Sequence, residues 1–104
     1  MVVEDAGRLA GFADLEANGH VDRVFVSADH QGQGVARALL AEVVTEARRL
    51  GLVRLFLEAS ITARPFFESQ GFAMLAPQVV VRRGVEFVNY RMERGLAEPY
   101  TAAD

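Results

Sequence analysis

The chain has 104 residues, 51% of them apolar and 24% charged, with a net charge of −3 and a pI near 5.3. That is one domain with a buried core, too apolar for a disordered chain and too acidic for a general nucleic-acid binder. There is no cysteine, which removes disulfides, thiolate zinc sites and thiol nucleophiles, and all eleven basic residues are arginine, which removes lysine chemistry.

No polybasic patch marks a membrane surface, and no apolar run approaches the ~20 residues of a span. Met1-Val2-Val3-Glu4-Asp5 has neither a basic n-region nor an apolar h-region, so no signal peptide is expected and the cytoplasm is the expected compartment. Neither nucleic acid nor membrane is an expected partner.

The elements follow in chain order. Residues 1–4 predict a short strand that turns through Asp5-Ala6-Gly7. Residues 9–17 and 21–27 predict two strands about Asn18-Gly19, a hairpin signal because both residues tolerate positive φ. A polar, glycine-rich loop over residues 27–34 leads into a helix over residues 35–50. At 100° per residue Val35, Leu39, Leu40, Val43, Val44, Ala47 and Leu50 share one half of the wheel. Arg37, Glu42, Thr45, Arg48 and Arg49 share the other, which is the pattern of a helix laid on a sheet. Gly51 is its stop.

Residues 52–60 alternate as a strand, with Val53, Leu55, Leu57 and Ala59 on one face and Leu52, Arg54, Phe56, Glu58 and Ser60 on the other. The crossover length makes this strand parallel to the one before the helix. A second helix is expected over residues 63–70, with Thr62 as N-cap, Pro65 in the first turn and Gly71 as stop. Residues 72–82 and 85–94 predict two strands about Arg83-Gly84, with Pro77 at a bulge or edge, and residues 95–104 predict a frayed tail. The fold class is α+β: order βββ-α-β-α-ββ, a mostly antiparallel sheet flanking one parallel pair, in a single domain over residues 1–95.

The segment that points to chemistry is Gln31-Gly32-Gln33-Gly34-Val35-Ala36, between a strand and an amphipathic helix. The first turn of a helix has unpaired N–H groups and partial positive charge, and small residues let a diphosphate approach the backbone. On its own the loop is equally a ligandless βα connection. It is not a Walker loop, since no Lys follows, nor a dinucleotide fingerprint, since Arg37 stands where a third glycine would be.

Three ordered motifs carry a resemblance. Val24-Phe25-Val26 followed by Gln31-x-x-Gly34-x-Ala36 resembles motif A of the GNAT superfamily of acyl-CoA-dependent N-acyltransferases. Ala63-Arg64-Pro65-Phe66-Phe67-Glu68-Ser69-Gln70-Gly71-Phe72 resembles the segment around that fold's later helix, and Asn89-Tyr90-Arg91-Met92 a final-strand pattern; the likeness runs from about Leu9 to Arg94. It implies acetyl-CoA as co-substrate. Its pyrophosphate would lie on Gln31, Gly32, Gln33, Gly34, Val35 and Ala36, and its pantetheine arm along Phe25, Val26 and Ser27 between two splayed parallel strands. A backbone N–H near Val26 would polarise the thioester carbonyl. Ser60 stands where many members have an Asn that meets the arm.

Direct transfer needs a neutral amine, and a carboxylate can take its proton. Glu58 matches a strand Glu proposed as base in some members; the plain alternative is a surface carboxylate paired with Arg54 two residues earlier. Asp22 is the second candidate, against a hairpin-edge charge. His20 is expected to be solvent-exposed, and His30 to cover the loop's ligand. Neither has a metal-like partner at useful spacing, so no metal is expected. Phe67 stands where many members carry a proton-donating Tyr, which leaves Ser60, Tyr90 or water as the acid; Phe67 itself is expected as pantetheine wall or core.

The reading is an N-acetyltransferase for a primary amine of a small molecule or peptide. The alternatives are an acyl-CoA-binding module with weak or lost turnover, and a truncated subunit that needs a partner chain. The resemblance also implies a strand and two helices ahead of residue 1. Without them a sheet face is expected to be open and apolar, and its simplest cover is a second copy, a homodimer.

Overall fold

The computed structural model describes residues 1–96; of the expected tail, residues 97–104 lie outside the described residues. The element order is β1 (Val2–Asp5), β2 (Arg8–Leu15), β3 (Val21–Val26), a 3-10 turn (Ala28–His30), α1 (Val35–Arg49), β4 (Arg54–Ser60), α2 (Arg64–Ser69), β5 (Ala73–Arg82) and β6 (Val85–Gly95). This is the expected order of α+β elements.

The strands form two antiparallel three-stranded sheets, ordered β1-β2-β3 and β4-β6-β5. Among the described residues a single parallel bridge, His20 to Phe56, joins them. The expected parallel pair, β3 and β4, therefore touches only at its start and parts beyond it. Gly19 makes the joint: its φ is +97°, a Cβ there would stand 2.4 Å from the Arg54 carbonyl oxygen, and its own carbonyl accepts the Phe56 N–H at 3.1 Å. The hairpin at Asn18-Gly19 closes as a three-residue loop, with the Glu16 N–H on the His20 carbonyl at 2.8 Å and the His20 N–H on Asn18 Oδ1 at 3.0 Å.

α1 covers both sheets with the stripe read from its sequence: Val35, Leu39, Leu40, Val43, Val44 and Ala47 are buried against Ala10, Ala13, Leu55, Leu57, Met92 and Leu96. Truncating Leu39 or Met92 to Ala would cost about 2–5 kcal/mol. The close approach needs Gly11 in β2, where a Cβ would meet the Phe25 carbonyl oxygen at 2.5 Å and Val35 Cγ1 at 2.9 Å. The helix ends in a Schellman pair, the Gly51 N–H on the Arg48 carbonyl at 3.0 Å and the Leu52 N–H on Ala47 at 2.9 Å.

Several boundaries differ from the sequence reading. Leu50, placed in the apolar stripe, caps the helix and is exposed, and Val53 lies outside the strand, 76% exposed. Thr62 is not a cap: α2 has Ala63 at that place with no side-chain cap, and Ser60 Oγ accepts the Ala63 N–H at 3.1 Å instead. Gly95 belongs to β6, and Leu96 is buried with its N–H on the Val53 carbonyl at 2.8 Å, so the ordered chain outruns the expected start of the tail. Pro77 is on the edge strand β5, and the bulge falls just before it, between Met74 and Ala76.

β5 and β6 run on past the core as a two-stranded arm. Val79, Val81, Val85, Phe87 and Val88 are all 45–62% exposed there. The arm stretches the molecule to 54 × 39 × 23 Å, with a radius of gyration of 15.0 Å against the ~13 Å of a compact domain of this length.

Candidate active site

β3 and β4 diverge from the His20–Phe56 bridge, and the gap between them is a cleft with two connected parts that share Val24, Phe25, Ala63 and Phe67. One part, about 810 Å³, runs from Val24, Phe25 and Val26 to Gln31, Gly32, Gly34, Val35, Ala36 and Arg37. The other, about 400 Å³, lies between β3 and Leu57, Glu58, Ala59 and Ser60, with Asp22 on its far wall. A third hollow of about 690 Å³, between β2 and the outer side of α1, has neither the glycine loop nor the strand carboxylates.

The glycine-rich end is built of main chain. Gly34 is the residue before α1 and sits at φ +78°. A Cβ on Gly32 or Gly34 would meet nothing within 4 Å, so open space lies above the backbone. The first N–H groups of a helix have no partner within it, and α1 has no side-chain cap to take them. The loop is anchored from below. His30 is buried, its Nδ1 2.5 Å from Ser27 Oγ and its Nε2 3.2 Å from Asp5 Oδ2. Gln33 Nε2 donates to the Asp29 carbonyl at 3.2 Å.

The structure thus brings Phe25, Val26, Gln31, Gly32, Gly34, Val35, Ala36 and Phe67 to the cleft wall. Ser27 and Gln33 are not there; both are spent on holding the loop. Arg37 is on the wall and was not foreseen. It makes no ion pair among the described residues, and its only signal was a cation one turn into the helix. His30, expected to cover the loop's ligand, is instead buried and bonded to Ser27 and Asp5, and only borders the cleft.

The other end is built of side chains. Glu58, Asp22 and Ser60 line it together. Glu58 does not pair with Arg54, whose Nε donates to Glu93 Oε2 at 2.5 Å and whose guanidinium lies over Phe56. Its partner is His20, with Nε2 2.8 Å from Glu58 Oε1. The His20 side chain is only 17% exposed, against the expectation of a solvent-facing ring, because it stacks on Phe56 at 5.1 Å and bonds Glu16 through Nδ1. Carboxylates only accept, so the protonated ring satisfies both. Burial opposes that charge, but the bonds to Glu16 and Glu58 outweigh it and hold the His20 pKa above its ordinary value. Glu16, His20 and Asp22 bring one ligating atom each within 4.8 Å of one another, a closer grouping than the sequence spacing promised for His20. Both ring nitrogens are already engaged, however.

Tyr90 is not in the cleft. It pairs in register with Ala59 and Pro77 and lies under the Arg64 guanidinium at 4.6 Å. Phe67 is buried between the two parts of the cleft, edge-on to Phe66 and Phe72, and brings no hydroxyl. Ser60 is therefore the hydroxyl nearest in place, although its oxygen already accepts the Ala63 N–H.

The family model described as an acetyltransferase (GNAT) domain matches residues 1–94. The uncharacterized N-acetyltransferase YafP of Escherichia coli K12 is 38% identical over 73 residues, 70% of this chain and 45% of that protein. The glucosamine 6-phosphate N-acetyltransferase of Trypanosoma brucei brucei is 29% identical over 79 residues, 66% of this chain and 54% of that protein. The chain spans about half the length of the curated relatives it matches. Among solved structures, a GCN5-related N-acetyltransferase from Rhodopseudomonas palustris superposes with a TM-score of 0.87 at 27% identity, over 91% of this chain and 59% of that one. The yncA protein of Salmonella typhimurium, solved with its cofactor acetyl-CoA, superposes with a TM-score of 0.78 at 28% identity, over 96% of this chain and 65% of that one.

Proposed function

The chain belongs to the acetyltransferase (GNAT) family, and from that premise we propose that it moves an acetyl group from acetyl-CoA directly to a primary amine of a small molecule or peptide. One observation carries the reading: a single cleft has a main-chain anion cradle at one end and the carboxylate of Glu58 at the other. The pyrophosphate lies over Gly32, Gly34 and the first turn of α1, with Arg37 as counter-charge. The pantetheine arm follows Phe25 and Val26, and Phe67 forms the floor. A backbone N–H near Val26 polarises the thioester carbonyl.

Glu58 takes a proton from the acceptor ammonium, directly or through water, with Asp22 adding negative charge at the entrance. The freed amine attacks the thioester carbon, the C–N bond forms and the C–S bond breaks. A thiolate is a tolerable leaving group, so Ser60 or water suffices as proton donor; Tyr90, under Arg64, is too poorly placed to serve. No metal enters this scheme.

A second copy of the chain is the partner. The exposed valines and Phe87 of the β5–β6 arm support it, as does the place of β5 at the edge of its sheet, where two copies can pair antiparallel about a two-fold axis. Molecular mass in solution tests that pairing.

Phe67 favours one second reading, a module that binds CoA and turns over weakly or not at all. Both are tested by incubating the protein with acetyl-CoA and an amine panel that includes glucosamine 6-phosphate and a peptide N-terminus, following free thiol. Thiol release with any amine supports transfer. CoA binding by calorimetry with no release from any amine supports the module.

A further inference from the structure

We propose that His20 is a positioning residue for Glu58, clamping one oxygen of the carboxylate so that the other is left to face the acceptor amine. The inference rests on the reading of Glu58 as base.

Three contacts fix the ring. Nε2 is 2.8 Å from Glu58 Oε1, Nδ1 bonds Glu16 Oε1, and the ring plane lies on Phe56 at 28°. Among the described residues, Oε2 of Glu58 makes no side-chain hydrogen bond, and Glu58 lines the cleft. The clamp stands on the strand joint rather than on a free loop, since His20 and Phe56 are the bridge from which the cleft opens. A carboxylate on an exposed strand position would otherwise sample several rotamers, and a base must be held to about half an ångström to work well.

The ring's charge decides what the clamp does. Glu16 faces it from the β2–β3 turn, Asp22 from β3 and Glu58 from β4, while Arg54 lies across Phe56 and is itself held by Glu93 of β6. Three carboxylates thus surround the imidazole; Arg54 is already paired with Glu93, and Arg91 of β6 stands opposite Glu58 in register without an ion pair to it among the described residues. The protonated ring holds Glu58 in an ion pair and offsets its charge. The neutral ring keeps one N–H and leaves the full carboxylate charge for the ammonium. The step it serves is balanced: one ammonium proton goes to Glu58, the nitrogen lone pair forms the amide bond, the C–S electrons go to sulfur, a second nitrogen proton reaches the thiolate, and the third stays on the amide.

The first test needs no acceptor. The His20 imidazole is followed by NMR through a pH titration in the wild type, Glu58→Gln and Glu16→Gln. The midpoint is expected to fall in both variants; an unmoved midpoint in Glu58→Gln overturns the clamp. The second uses the panel amine of highest turnover. His20→Ala is expected to lower kcat about 10-fold with the acetyl-CoA KM unchanged. His20→Gln, which can still donate to Glu58 but cannot titrate, should restore most of the rate and lose one ionisation from the pH–rate profile. Profiles of both His20 variants that overlay the wild type, while Glu58→Gln is impaired, overturn this proposal alone. Full turnover in Glu58→Gln overturns the base assignment beneath it.

Discussion

The two ends of the cleft are made in opposite ways. The cradle end is one stretch of chain, residues 31–37, and the groups proposed to bind there are backbone N–H donors at Gly34 and the start of α1. The end proposed to take the proton is assembled from Glu16, His20, Asp22 and Glu58, which come from the β2–β3 hairpin and from β4. A cradle of main chain is hard to remove by changing side chains but sensitive to added bulk. A cluster of side chains is the reverse. Substitutions at the two ends should therefore separate binding from turnover.

The largest separation is expected from Glu58→Gln. The amide keeps the shape and a hydrogen bond to His20 but cannot take a proton, so turnover should fall about 100-fold or more while calorimetric CoA affinity holds. A retained rate would leave the proton end without its base. The mirror experiment is Gly34→Val. At φ +78° a Cβ strains the backbone by roughly 1–2 kcal/mol, and the new methyls fill the open space over the loop. CoA affinity should drop at least 10-fold with the circular dichroism spectrum retained, and unchanged affinity would mean that the pyrophosphate lies elsewhere.

The same contrast explains what could be read from the sequence. The loop is legible as a place because its residues are adjacent, but its ligand comes only from the resemblance of the three ordered motifs, since the loop alone is equally a ligandless connection. Glu58 was legible by strand parity: Leu55, Leu57 and Ala59 turn inward, so Glu58 and Ser60 turn out. His20 was not, because its burial depends on two encounters distant in sequence, with Phe56 and with Glu58, both created by the joint at Gly19. Without that joint a histidine after a turn is reasonably taken as exposed. The alternative pairing of Glu58 with Arg54 fails for a related reason: same-face neighbours two apart on a strand compete with cross-strand partners, and Arg54 takes Glu93 of β6. Residue type alone makes Tyr90 a candidate acid, but it stands on β6, with β4 between it and β3, and its ring lies under Arg64, outside the cleft lining.

Phe67 gives an intermediate effect and sharpens the proton end from the other side. It is 7% exposed and borders both parts of the cleft. Phe67→Tyr adds a hydroxyl where the proposed scheme puts the leaving sulfur, without a change of ring. If proton donation to the thiolate limits turnover, kcat should rise several-fold with CoA affinity unchanged. A rate that does not rise would mean that water or Ser60 already supplies the proton, and that Phe67 is wall only.

The smallest expected effect is on stability, and it follows from the sign of the His20 shift. Its folded-state pKa lies above the ordinary 6.5, held there against burial by Glu16 and Glu58. Below about 6.5 the ring is charged in both folded and unfolded chains, and the ion pairs contribute in full. As pH rises through the folded value the ring loses its proton and that contribution goes. Wild type should therefore lose stability relative to His20→Gln as pH rises from about 6.5 through the raised folded value, since the glutamine does not titrate. Glu16 and Glu58 are partly solvated, and pairs of that kind give at most about 1 kcal/mol, which bounds the difference in Tm at about 4–8 °C. Melting curves of the two proteins across that range read the difference directly. Parallel curves would mean that the bonds of His20 to Glu16 and Glu58 do not persist in solution, and with them would go the physical basis for treating the proton end as a preassembled cluster rather than as Glu58 alone.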